Sequence, residues 1–291
     1  MKRLIPLSLL AVPAAAWAHA GHEHSRTPGW EFDPLVVIPL GLALVIFVVG
    51  SVRLARRSKV DRPRTWLFVG GWAVLMLSLV SPLHQGGEQS FALHMIEHEL
   101  IMLVATLLLA ASHSGGVLAW GLPSPLRRAL GGSWKAPLAI LWKRLTEPVT
   151  ATIVQAVVMW LWHAPLLFDR ALESNGWHAA QHLSFVAASL FFWVAMLNPR
   201  RGGYLLSAAC LFVTTLVEGA LGALMALSQS PWYSDYAAME LSGIGLEPTT
   251  DQQLAGLIMW IPGGVLHGAA ALLLLYHWLK TSEAGHALRA N

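Results

Sequence analysis

The feature that most limits what this chain can fold into is a series of apolar runs, each near the length that crosses a bilayer. Residues 34–52, 65–81, 91–112, 148–168, 178–197, 204–227 and 253–279 form these runs, and no Lys or Arg falls inside any of them. Spanning ~30 Å of hydrocarbon at ~1.5 Å per residue takes about 20 residues. Backbone in hydrocarbon must satisfy its own hydrogen bonds, as a helix does. The expected fold is all-α: a polytopic membrane helix bundle with about seven transmembrane helices. Only 12% of the 291 residues are charged, against roughly 25% in a soluble domain, and this agrees.

Basic residues lie between the runs and set an orientation. Arg53 to Arg64 follow the first run, Arg127 to Arg144 the third, Arg200 and Arg201 the fifth, and Lys280 and Arg289 the seventh; the opposite loops hold only Arg26 and Arg170. The positive-inside rule then places the N-terminus outside and the C-terminus in the cytoplasm. Lys2, Arg3, the apolar stretch to Ala15 and Ala16-Trp17-Ala18 agree, reading as a signal peptide cleaved on the outer side; an uncleaved anchor is the alternative. The chain divides into a signal peptide (1–18), a His-rich outer tail (19–33), a seven-helix domain (34–280) and a cytoplasmic tail (281–291). A net charge of +3 would suggest nucleic acid for a soluble protein. Here it consists of topology signals, so the expected surroundings are lipid, with no nucleic-acid partner. Trp134 and Trp142 among basic residues suggest an inner segment at the membrane surface. The outer loop 228–251, with Asp235, Glu240, Glu247 and Asp251, reads as solvated; attraction of a cation or a basic partner is its other reading.

Histidines are the chemistry-bearing residues. His94 and His98 stand four apart at the outer end of the third run, and His178 and His182 repeat the spacing at the outer end of the fifth. That spacing puts both imidazoles of a pair on one helix face. His163 closes the fourth run, and His84 follows the second. An isolated histidine here reads as an interhelical hydrogen bond, the first expectation for His84 or His163 alone. Two such pairs at one depth favour ligation of a metal or of haem iron. Cys210 is the single cysteine, so ligands must be His, Met or carboxylate. Helical spacing extends the sites inward to Met102, Met159 and Met259, as possible thioether ligands or as packing. Of Glu97 and Glu99, one is expected to orient an imidazole and the other to reach headgroup water. Cleavage after Ala18 would leave His19 as the N-terminus, followed by His22 and His24. That tail reads equally as a copper chelator or as a mobile polar segment.

Glu218 lies inside the sixth run beside Gly219 and Gly222. A carboxylate there needs a partner or a proton. His267 in the seventh run is the partner expected, giving either a proton or ion relay or a structural contact. Gly219, Gly222, Ala223 and Ala226 would let this helix pack closely on a neighbour.

The combination His94-Met-Ile-Glu-His98, Trp162-His163-Ala-Pro165, His178-x-x-Gln-His182 and Asp251-Gln252-Gln253-x-Ala-Gly256-Leu-Ile-Met259-Trp260-x-Pro262-Gly263 resembles the CtaG-type cytochrome c oxidase assembly factors, polytopic membrane proteins of bacteria. The resemblance runs from about the second to the seventh run. It implies location in the bacterial inner membrane and a role in maturing a haem–copper oxidase, whose subunit would be the partner.

The expectation is therefore a non-enzymatic assembly factor. It would meet copper at His19, His22 and His24 and hold it at His94, His98, His163, His178 and His182. The alternatives are a membrane haem-binding redox protein and a metal or proton transporter with Glu218 and His267 on its path.

Overall fold

The computed structural model describes residues 28–57, 61–132, 135–199 and 203–290, with side chains up to Ser282. The expected signal peptide and the residues His19, His22, His24, Trp134, Arg200 and Arg201 lie outside the described residues. Every regular element among the described residues is a helix.

Helices α1 (Pro34–Ala55) and α2 (Arg62–Val80) open on Asp33 and Asp61, whose side chains accept from the backbone N–H of Leu35 and Arg64. Such caps satisfy donors that the first turn leaves free. The chain does not pass straight from α2 to the third run. Ser81 ends α2 and begins a short helix α3 (Pro82–Gln89), and Ser90 in turn caps α4 (Phe91–Glu99). Helix α4 continues through a π-helical stretch, Leu100–Ala105, into α5 (Thr106–Ala111). The carbonyl of Met102 in that stretch accepts both Thr106 Oγ1 at 2.6 Å and Trp193 Nε1 at 2.9 Å.

At the other end of the bundle, α6 (Gly115–Gly121) packs against α1 where Gly50 and Gly121 leave no room for a Cβ. Arg53 donates to the carbonyls of Trp120 and Leu122 at 2.8 and 2.9 Å, satisfying the exposed C-terminus of α6. Arg57 and Arg127 lie over the Trp120 ring. Helices α7 (Ser124–Gly131) and α8 (Lys135–Leu145) follow and bury no side chain.

The fourth expected span needs correction. Helix α9 (Pro148–Trp162) stops six residues before the expected end at 168, because Pro165 disfavours helical geometry at Ala164. The chain restarts as α10 (Pro165–Glu173). Helices α8 and α9 together have the length and apolarity of one span but bend by 72°. Among the described residues six helices qualify outright, or up to seven with this pair. The remaining long helices are α11 (Asn175–Leu197), α12 (Tyr204–Leu227) and α14 (Pro248–Ala290), with α13 (Ser234–Ala237) between the last two.

Helices α12 and α14 form the most extensive seam among the described residues. A Cβ on Gly222 would stand 2.8 Å from Gly256 O, and one on Gly219 would stand 3.2 Å from the Trp260 ring. Large apolar side chains such as Leu183, Val265 and Leu272 face outward, about 70% exposed. A surface of this kind suits lipid, and the protein is a polytopic membrane protein.

Candidate metal centre

Four segments bring six histidines together. His84 comes from α3, His94 and His98 from α4, His163 from the end of α9, and His178 and His182 from α11. His94 and His98 are 4.3 Å apart between ring centroids, and His178 and His182 are 4.4 Å apart, as one helical turn requires. Across helices, His84 stacks on His178 at 5.1 Å, His94 on His178 at 5.6 Å, and His98 meets His182 at 5.4 Å. His163 closes the far side, 6.2 Å from His98. Ligand nitrogens of His84, His178 and His182 all lie within 4.8 Å of one another. His84 thus belongs to the group, although in the sequence it read as a lone hydrogen-bonding histidine.

The free ring nitrogens point to what the cage can hold. Nδ1 of His84 is 2.8 Å from Glu97 Oε1, and Nδ1 of His163 is 2.7 Å from the carbonyl of Met159. A carbonyl accepts only, so Nδ1 of His163 carries the proton and Nε2 keeps a lone pair. A carboxylate partner has the same effect on His84. Tyr236 gives its only hydroxyl proton to the carbonyl of Gly87, so its oxygen accepts from His94 Nδ1 at 3.4 Å. This again leaves Nε2 of His94 free. The Nε2 atoms of His94, His98, His163, His178 and His182 are buried with no hydrogen-bond partner. Buried polar atoms are normally satisfied, and an inward set of neutral imidazoles is the donor set for a first-row metal ion. The residues present fit such an ion.

Glu97, fully buried, is the carboxylate that orients imidazole. Besides His84 it lies 3.7 Å from His182 Nε2. Burial opposes protonation of His84, but its hydrogen bond to Glu97 and the carboxylate charge outweigh this and raise its pKa above the ordinary imidazole value. Glu99 does not reach headgroup water. Its Oε2 is buried without a hydrogen-bond partner, and it faces α14 beside Gly263. Roughly 200° of helical rotation separates it from Glu97, and both directions point into protein.

The acidic loop is not simply solvated either. Asp251, 1% exposed, accepts from Ser90 Oγ at 2.8 Å and from Phe91 N at 2.6 Å, tying the loop to the start of α4. Gln252 accepts from Trp232 N at 2.6 Å. Tyr233 and Tyr236, both buried, are held over the cage, with Tyr233 Oη donating to His163 O at 3.0 Å. Burial holds both phenols above their usual range, so they stay donors.

His267 and Glu218 lie elsewhere, with Nδ1 and Oε2 3.5 Å apart on α14 and α12. Met102, Met159 and Met259 are buried among core side chains.

The chain resembles two uncharacterized proteins, Mb0105 of Mycobacterium bovis and MT0111 of Mycobacterium tuberculosis. Each is 25% identical over 250 residues, an alignment covering 79% of this chain and 36% of the relative. The chain therefore spans about a third of the length of these relatives. No solved structure matches it. The family model described as cytochrome c oxidase caa3 assembly factor matches residues 45–281. That match runs from the second half of α1 into α14 and takes in all six histidines of the cage, and the chain belongs to the cytochrome c oxidase caa3 assembly factor family.

Proposed function

We propose that the protein is a non-enzymatic assembly factor of the bacterial inner membrane that holds copper in the histidine cage and delivers it to a haem–copper oxidase subunit. The observation that carries this reading is the convergence of six imidazoles, five of whose Nε2 atoms are buried without a hydrogen-bond partner. Family membership supplies the oxidase, and an all-nitrogen donor set makes copper a suitable cargo. His84, His178 and His182 form the more open part of the cage; His94, His98 and His163 lie deeper.

Entry from the outer side has a structural basis. Gly29 N donates to Gln85 Oε1 at 2.7 Å, and Glu31 N donates to Val80 O at 2.9 Å. The N-terminal segment therefore joins the fold next to His84. In this reading His19, His22 and His24, which precede that segment in the sequence, meet the ion first. Imidazole rings packed this closely favour a bare ion over a haem, whose macrocycle needs a slot between its axial ligands.

The test compares wild type with His84→Ala/His178→Ala/His182→Ala and with His94→Ala/His98→Ala. Copper bound by the purified protein and copper content of the oxidase assembled in the same cells are measured together. Both should fall in both variants. Oxidase with a full copper complement beside either variant would sink the proposal, and a Soret band in purified wild type would replace it with the haem reading.

A further inference from the structure

A second group of buried polar side chains lies apart from the cage, between α4, α9, α11, α12 and α14. Glu218 and His267 are its centre, 6% and 1% exposed. Neither nitrogen of His267 has a hydrogen-bond partner. Glu99 turns away from the cage toward the same stripe of α14: a Cβ on Gly263, one turn before His267, would stand 3.8 Å from Glu99 Oε2. That oxygen is also buried and without a hydrogen-bond partner.

We propose that Glu218 and His267, with Glu99 beside them, form a second metal site in the bundle interior, for a divalent first-row ion held by mixed oxygen and nitrogen donors. Geometry is the first argument. Nδ1 of His267 and Oε2 of Glu218 are 3.5 Å apart and do not form a hydrogen bond. Two donors that share one tetrahedral ion at ~2.0–2.2 Å stand ~3.3–3.6 Å from each other. Charge is the second argument. No Lys or Arg occurs in 91–111, 148–162, 175–197, 204–227 or 248–279, the segments around the pair. Two carboxylates in an apolar interior require a compensating cation or protons, and a divalent ion bound by both would neutralise them together.

The donors are also held in place, as metal ligands usually are. Oε1 of Glu218 accepts from Gln155 Nε2 at 3.2 Å, and Gln155 Oε1 accepts from Ser189 Oγ at 3.2 Å. The second carboxylate oxygen is thereby left for an ion. The His267 ring stacks on Trp193 at 5.3 Å, and Trp193 is anchored through its indole N–H to the carbonyl of Met102. A carboxylate and imidazole set suits Co(II), Zn(II), Mn(II) or Cu(II) and disfavours Cu(I). The two sites therefore differ in chemistry as well as in place.

Co(II) alone is the probe, titrated into detergent-purified full-length protein and read by its d–d absorption and by bound equivalents. The variants are the cage triple variant of His84, His178 and His182 to Ala, the single variant Glu218→Gln, and their combination. Glu218→Gln retains an acceptor for Gln155, and the elution profile of each variant checks that it is folded. The cage variant should bind one equivalent more than the combination, and Glu218→Gln one fewer than wild type. A cage variant that binds no Co(II), as for a pair that carries only protons, overturns the proposal. So does a Glu218→Gln protein with the wild-type stoichiometry. Retention of the deep equivalent alone in wild type would uphold this site while removing support for the cage, so the two readings fail separately.

Discussion

Nδ1 of His84 stands 2.8 Å from Oε1 of Glu97, a contact that joins α3, a short helix between two spans, to α4, the start of the next span. The contact fixes the His84 tautomer and leaves the lone pair on Nε2. Removing an orienting carboxylate typically lowers metal affinity ~10–100-fold. Glu97→Ala should show a loss in that range, measured by competition with a chelator. Glu97→Gln keeps an acceptor without the charge and should lose less. Equal affinity in wild type and Glu97→Ala would remove Glu97 from the site.

The same contact sets a pH dependence in the ion-free protein. His84 has a raised pKa in the folded state because Glu97 outweighs burial. A raised folded value means that the pair stabilises the fold fully below the ordinary imidazole pKa, ~6.5, and that this contribution is lost as pH rises through the folded value. The difference in melting temperature between wild type and Glu97→Gln, without metal, should therefore be largest on the acid side and shrink as pH increases. A difference that grows toward alkaline pH would contradict the assignment.

Asp251 ties the loop over the cage to the first turn of α4. Its two oxygens take Ser90 Oγ and Phe91 N. Replacement by Ala leaves a buried hydroxyl and a helix N–H unpaired, which costs about 1–3 kcal/mol. The melting temperature of Asp251→Ala should drop, and copper should be released faster, because the loop also holds Tyr233 and Tyr236 over His163 and His94. Asp251→Asn keeps one acceptor and should lie between the two. Stopped-flow transfer of copper to a chelator measures the release, and an unchanged rate in Asp251→Ala would show that the loop is not a cover.

Much of the bundle is legible in the sequence because hydrocarbon imposes one length and one polarity on each span. Helix α12 covers the residues its apolar run marks out, 204–227. The Glu218 and His267 contact follows from the scarcity of partners at that depth. What the runs leave hidden is set by punctuation and by long-range contact. Pro165 ends α9 early, although hydropathy runs on to Phe168. His84 read as isolated because α3 has too few apolar residues to show which way it packs; only the fold brings it beside His178. The role of Asp251 depends on Ser90, 161 positions earlier in the sequence. Glu99 shows the limit of a helical wheel: spacing separates it from Glu97 but does not say whether lipid or α14 lies on its side.

The α12–α14 seam gives a test that is independent of any ion. A Cβ at Gly256 would stand 2.5 Å from both Gly222 O and Ala226 N, and these are backbone atoms that cannot rotate away. The two helices must therefore part to admit even Ala, and overpacking of this kind costs about 1–3 kcal/mol. Gly268→Ala is the control: it lies on the same helix, next to His267, and a Cβ there meets nothing within 4 Å. With no clash, Ala should be neutral or stabilising by up to ~1 kcal/mol through helix propensity. Thermal denaturation in detergent should thus lower the melting temperature for Gly256→Ala and leave or raise it for Gly268→Ala. Because Gly256 meets α12 at Gly222 and Ala226, one and two turns from Glu218, parting the seam should also lengthen the Glu218 to His267 distance. Gly256→Ala should then weaken Co(II) binding at the deep site and spare the cage. If both variants melt like wild type, close approach of α12 and α14 is not what holds this half of the bundle together.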